Sequence, residues 1–91
     1  MRRINVNITV KLYTKNRCHL CDKAKDILMK LKNKREFNYS EIDIEESDQL
    51  IEKYGLMIPV VEINGEEIQY GQIDELFIDE ALSKIEASLL S

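Results

Sequence analysis

Apolar and polar positions alternate at the start of the chain. Ile4, Val6, Ile8, Val10 and Leu12 are apolar, and Asn5, Asn7, Thr9 and Lys11 lie between them. A period of two places the two sets on opposite faces of a strand. A fully polar alternate face does not suit a central strand covered on both sides. The first few residues are therefore expected to overhang the sheet, with the structural strand running from about Ile8 to Tyr13. Thr14 to Arg17 is a polar loop. Leu20, Ala24, Ile27, Leu28 and Leu31 then recur at helical spacing, with Asp22, Lys23, Lys25, Asp26 and Lys30 on the other side. This predicts an amphipathic helix from near Cys18 to Asn33-Lys34.

Phe37 to Asp43 alternates again and predicts a second strand. Ser47 or Glu46 opens a short helix through Leu50, Ile51 and Tyr54, with Gly55 as its stop. Pro59 is the only proline, and Val60-Val61-Glu62-Ile63 after it reads as a strand. Asn64-Gly65 is a strong hairpin signal, and Glu66 to Tyr70 is the return strand. After Gly71-Gln72, Asp74 caps a last helix whose apolar positions include Phe77, Ile78, Ala81, Leu82, Ile85 and Leu89. The order is β-α-β-α-β-β-α. Its opening β-α-β unit requires a right-handed crossover and a parallel pair, and the hairpin adds an antiparallel strand. The expected architecture is α/β, a four-stranded mixed sheet with helices on both faces.

Composition narrows the function. Ninety-one residues suit one domain, 1–91. Charged residues make up 33% of the chain, yet the formal net charge is only −4. That balance disfavours general nucleic-acid binding. Residues 1–35 hold eleven of the thirteen Lys and Arg against Asp22 and Asp26, and residues 36–91 hold Lys53 and Lys84 against fifteen acids. The halves are too short to be separate domains, so their charges are expected to meet across the fold. The alternative is a basic patch for an acidic partner. No run approaches the roughly 20 apolar residues of a membrane span. Met1-Arg2-Arg3 has no apolar core behind it, so a signal peptide is not expected and the cytoplasm is. In that reducing setting two cysteines point to catalysis or metal binding before a structural staple.

The chemistry centres on Cys18-His19-Leu20-Cys21, at the junction of the first strand and first helix. A thiol reacts as its thiolate. At a helix N-terminus, unpaired N–H groups and the macrodipole favour negative charge. Lys15, Arg17 and His19 add positive or polarisable groups. Together these predict a lowered pKa for Cys18 and make it the nucleophile. Cys21, one turn inward, is placed to close a disulfide and release a bound substrate. Zinc is a competing reading, but it wants four ligands and only Cys18, Cys21 and the intervening His19 are offered. Two buried structural cysteines are a third, which the polar, basic surroundings oppose. Protonated His19 would stabilise the thiolate and make the disulfide more oxidising; otherwise it is an exposed spacer. Pro59 belongs at a strand start because it removes a ladder hydrogen bond. By itself it is an ordinary strand-opening proline. A cis Ile58–Pro59 bond would turn the N–H and C=O of Ile58 outward, toward an extended substrate.

The run from Val10 to Lys25 resembles the glutaredoxins: a strand ending in Tyr13, Lys15 three residues before Cys18, the Cys-x-x-Cys, and Ala24 early in the helix. Ile58-Pro59 is similar to the family's cis Val-Pro, and Gly71-Gln72-Ile73-Asp74-Glu75-Leu76 to its Gly-Gly-x-Asp-Asp-Leu. The resemblance covers about residues 8 to 89. Cys-His-Leu-Cys-Asp-x-Ala looks most like a branch of small glutaredoxin-like proteins. It implies a thioredoxin-like fold, an attacking Cys18 and a resolving Cys21. Lys15 would bind a glutathione carboxylate, the Ile58 backbone held by cis-Pro59 would pair with the glutathione cysteine, and Gly71 and Asp74 would lie near its γ-glutamyl end. The chain departs from the family pattern in three places. His19-Leu20 replaces Pro-Tyr, removing an aromatic wall of the glutathione groove. Gln72 replaces the second Gly, and Met57 replaces the Thr before Val-Pro.

The expected function is thiol–disulfide exchange through the Cys18–Cys21 pair, as an enzyme. Substrates would be a disulfide-containing protein or a glutathione mixed disulfide. The reductant would be glutathione or a thioredoxin-reductase-type enzyme. No bound cofactor and no metal is expected, with glutathione as a co-substrate. Neither nucleic acid nor membrane is an expected partner, and the chain is expected to be a monomer. The alternatives are a module binding a metal or a [2Fe–2S] cluster, and a redox-inert interaction domain on the same fold.

Overall fold

The computed structural model describes residues 8–90, so Ile4 and Val6 of the alternating run lie outside the described residues. The elements are β1 (Thr9–Thr14), α1 (His19–Lys32), β2 (Asn38–Asp43), a 3₁₀ turn (Ile44–Glu46), α2 (Asp48–Tyr54), β3 (Val60–Ile63), β4 (Glu66–Tyr70) and α3 (Glu75–Leu90). The sheet order is β2-β1-β3-β4. β1 and β2 are parallel, while β1–β3 and β3–β4 are antiparallel. This is the mixed α/β sheet of a thioredoxin-like fold. The 3₁₀ turn before α2 had no counterpart in the sequence pattern.

Alternation along β1 and β3 splits the interior in two. Val10, Leu12, Val61 and Ile63 point to one face, where they meet Ala24, Leu28 and Leu31 of α1 and Ile78 and Leu82 of α3. Tyr13 and Val60 point to the other face, where Ile44 and Tyr54 cover them. α2 has seven residues, and this second cluster takes nothing from the Thr9–Lys11 end of β1. That explains the polar alternate face of a central strand. Lys11 faces Glu62 across the sheet at 3.9 Å, with its side chain 42% exposed.

Four apolar positions of the predicted helices differ. Leu20, Ile51, Phe77 and Leu89 are exposed. Leu20 lies in the first turn of α1, ahead of the buried stripe that begins at Cys21 and Ala24. Phe77 falls off the Ile78–Leu82 line that faces the sheet, and Leu89 continues that line at the far end of α3, beyond the buried Ile78 and Leu82. Two short sequences close the connections. Asn64 and Gly65 both have positive φ, 51° and 87°, the two left-handed residues that a tight hairpin turn requires. Gly55 ends α2 in an ordinary right-handed conformation. Its glycine is needed for space: a Cβ there would lie 2.5 Å from the Ile51 carbonyl oxygen.

The charge asymmetry is met inside the fold. Arg35, just past α1, bonds Asp79 at 2.7 Å and also pairs with Glu86. Lys25 pairs with Glu41, and Lys30 with Glu75. Each of these pairs, like Lys11–Glu62, joins a cation of residues 1–35 to an acid of residues 36–91. The Arg35 hydrogen bond holds the Asp79 carboxyl below the usual carboxylate range, against the opposing effect of its partial burial.

Candidate redox site

β1 delivers its chain to one end of the sheet, and the loop from Lys15 to Arg17 turns it into α1. Arg17 takes a left-handed conformation, φ 56°, and Cys18 after it is extended. Cys18 is the N-cap of α1. Its Sγ accepts the Cys21 N–H at 3.1 Å, and its carbonyl accepts the Asp22 N–H at 3.0 Å. In most helices a hydroxyl or carboxylate fills this capping role; here a sulfur does. Cys21 is the third residue of the helix, so the helical turn fixes its distance from Cys18. Their Cα atoms are 5.1 Å apart and the sulfurs are bonded as a disulfide, within the usual bridging range. The two sulfurs are not equivalent. Cys18 is half-buried and Cys21 only 2% exposed. His19 and Leu20 between them are exposed.

The second wall comes from β3. Tyr13 pairs with Val60, so Pro59 lies beside the end of β1. The Ile58–Pro59 bond is cis. The Gly71 N–H donates to both the Met57 and Pro59 carbonyls, at 3.1 and 2.8 Å, locking the turn after β4 onto this loop. The Ile58 N–H, which the sequence suggested would face a substrate, points inward instead. It donates to the Tyr54 carbonyl at 3.2 Å, an oxygen that also accepts the Met57 N–H at 2.8 Å.

Other expected residues are placed less simply. Lys15 lines a groove of about 340 Å³ with Thr14, Asn16, Arg17, Asp22, Glu41 and Asp43. Glu41 and Asp43 belong to β2, so the groove lies on the flank of β1 away from Pro59. Asp74 caps α3: its carboxylate accepts the Phe77 N–H at 2.9 Å, and its own N–H donates to the Gln69 side chain at 2.8 Å. The structure thus joins Cys18 to Cys21, and Ile58 and Pro59 to Gly71, while Lys15 faces a different wall. Among the described residues, no three His, Cys, Asp or Glu side chains group as a metal-binding set.

Sequence reasoning missed the layer beneath the loop. Tyr13 and Tyr54 pack with ring centroids 4.4 Å apart. Tyr13 donates to Glu62 at 3.4 Å and Tyr54 to Glu67 at 3.1 Å. Burial, with Glu62 adding to it, pushes the Tyr13 hydroxyl up to about 12. These contacts depend on which strands become neighbours, which local periodicity does not carry.

The family model for the Glutaredoxin-like domain (DUF836) matches residues 9–83. The chain belongs to this glutaredoxin-like family. Solved structures agree with the fold. The structural-genomics target protein XcR50 from X. campestris is 26% identical, with a TM-score of 0.71 over 82% of this chain and 96% of that one. Protein Ne2328 from Nitrosomonas europaea is 23% identical, with a TM-score of 0.75 over 89% and 98%. A mutant thioredoxin from Halobacterium salinarum is 18% identical, with a TM-score of 0.68 over 87% and 74%. This glutaredoxin-like chain therefore carries a Cys-x-x-Cys pair at disulfide distance on a thioredoxin-type scaffold, an arrangement consistent with redox activity.

Proposed function

We propose that this glutaredoxin-like protein is a thiol–disulfide oxidoreductase in which Cys18 attacks and Cys21 resolves. The observation that carries the reading is the asymmetry of the pair: an accessible Cys18 capping a helix through its sulfur, and a buried Cys21 one turn away. A thiolate on Cys18 keeps the Cys21 N–H as a donor and meets the positive end of the α1 dipole. A charge-assisted hydrogen bond is the stronger kind.

In the reductive direction the Cys18 thiolate attacks one sulfur of a substrate disulfide. A mixed disulfide forms and the other substrate sulfur leaves as a thiolate, which takes up a proton. Cys21 loses its proton and attacks Cys18 Sγ. The mixed disulfide breaks, the second substrate thiol departs, and Cys18–Cys21 remains as the disulfide. Two electrons have passed from the protein dithiol to the substrate. Glutathione or a thioredoxin-reductase-type enzyme restores the dithiol. The cycle suits a reducing compartment such as the cytoplasm.

The test is an equilibrium titration of the pair in glutathione redox buffers, read by alkylation and intact mass. A two-electron transition between roughly −180 and −280 mV is expected, the range of known dithiol oxidoreductases. Cys18→Ser should abolish reduction of protein disulfides, and Cys21→Ser should accumulate the mixed disulfide. A pair that stays reduced across the range, or protein-disulfide reduction that survives Cys18→Ser, would overturn the reading. A glutathione adduct on Cys18 during the titration would identify glutathione as the reductant.

A further inference from the structure

We infer that the oxidised substrate is an extended polypeptide with apolar side chains flanking its disulfide cysteine, rather than a glutathione mixed disulfide. The inference rests on the oxidoreductase reading above and names the substrate class of that site.

The first observation is the apolar rim. Leu20, between the two cysteines, is 41% exposed, and Leu56, three residues before Pro59, is 103% exposed. Met57 and Ile58 connect Leu56 to Pro59 and are half-buried. One exposed leucine is ordinary on a protein surface. Here Leu20 stands on the first turn of α1 between the two cysteines, and Leu56 on the loop that leads through an apolar Met57-Ile58 step to Pro59.

The second observation concerns the backbone of the same rim. The Met57 and Ile58 N–H groups are both given to the Tyr54 carbonyl, and the Gly71 N–H to Met57 and Pro59. The Ile58 carbonyl accepts no hydrogen bond from the described residues. A docking segment therefore finds an acceptor at Ile58 and no donor beside it. Main-chain pairing is halved, so affinity has to come from side chains.

The third observation is charge. Glutathione carries two carboxylates and no apolar side chain, so it needs cations. Lys15 and Arg17 share their groove with Asp22, Glu41 and Asp43, on the flank away from Pro59. Lys53, the one cation between Arg35 and Lys84, lies over the Tyr54 ring at 5.0 Å. The Pro59 flank thus offers exposed apolar carbon and few cations, which matches an apolar polypeptide better than a small molecule anchored by two carboxylates.

The test uses three mixed disulfides with the same chromogenic leaving thiol: a peptide with leucines flanking its cysteine, the same peptide with glutamates instead, and glutathione. The reduced protein should react with the leucine peptide roughly tenfold faster in kcat/KM than with glutathione, about the effect of burying part of one leucine. The glutamate peptide should be no faster than glutathione. Leu56→Ser should lower the leucine-peptide rate roughly fivefold, and Leu20→Ser with Leu56→Ser should bring its ratio to glutathione near one. Both sites are exposed, so the fold is not at risk. Leu89→Ser, an exposed leucine near the end of α3, should change no rate. Glutathione reacting as fast as the leucine peptide, or a ratio unmoved by the double substitution, would overturn the inference and leave the oxidoreductase reading intact. Wild-type protein inert toward all three would overturn both.

Discussion

On the side of the sheet under α1 and α3, Val10, Leu12, Val61 and Ile63 meet Ala24, Leu28, Leu31, Ile78 and Leu82, all with relative exposures of 1% or less. On the side under α2, the covered patch is Tyr13, Ile44, Tyr54 and Val60, and its two hydroxyls reach out to Glu62 and Glu67. The first side is dry and continuous, built to hold the sheet. The second is small and partly polar. It includes Tyr54, whose carbonyl holds the Ile58 loop, and Tyr13, which leads into the Cys18 loop. The first face holds most of the buried apolar side chains and seats α1 with its cysteine pair, while the second positions the Ile58–Pro59 loop.

Substitutions can break that contrast. Leu12→Ala removes a fully buried side chain from the dry face and should cost about 3 kcal/mol in urea unfolding. A cost under ~1 kcal/mol would mean that this face does not carry the fold. Gly55→Ala forces a Cβ against a backbone oxygen at the site side and should cost about 2 kcal/mol. Because the same turn holds Ile58, it should also slow peptide reduction; a change in stability alone would separate the turn from the site. Tyr54→Phe keeps the ring packing, removes the bond to Glu67, and should cost about 1 kcal/mol.

Two pH effects sharpen the contrast further. Tyr13 has its folded pKa raised to about 12, so its contribution is complete below the ordinary tyrosine value near 10 and is lost as pH rises through about 12. An absorbance titration should show this tyrosine ionising well above the ordinary tyrosine value near 10. Asp79 works in the opposite sense. Its folded pKa is lowered, first by the Arg35 hydrogen bond, so its contribution is present above the unfolded carboxylate value and disappears as pH falls through the folded one. Arg35→Met should remove that acid-side slope. Its effect at neutral pH should be the smallest of the set, because Asp79 and Arg35 are part-exposed and screened by water.

Some parts of the chain were readable before folding and others were not. α1 was legible because Ala24, Leu28 and Leu31 repeat at helical spacing, and the hairpin because Asn64-Gly65 accepts two positive φ values. The Cys18–Cys21 pair was legible because its spacing is one helical turn. Leu20 was misassigned to the buried stripe because periodicity does not say where a helix overhangs its sheet. Lys15 was expected, by resemblance, to bind a glutathione carboxylate; that it lines a groove with Glu41 and Asp43 of β2 depends on which strand becomes the neighbour of β1, which local periodicity does not carry. The inward Ile58 N–H is held by the Tyr54 carbonyl at the end of α2, a bond that hydrophobic periodicity does not signal.

The sequence by itself determined the element order, the alternation that splits the interior into two faces, and a helix that starts at a cysteine with a second one turn later. These are short-range properties, set by side-chain period and backbone preference. Only the tertiary structure decided which cysteine is accessible, which loop stands beside it, and which backbone groups remain open there. Those depend on strand register and on contacts between residues tens of positions apart, where exclusion of water and hydrogen-bond satisfaction select one arrangement from many that the local signals permit.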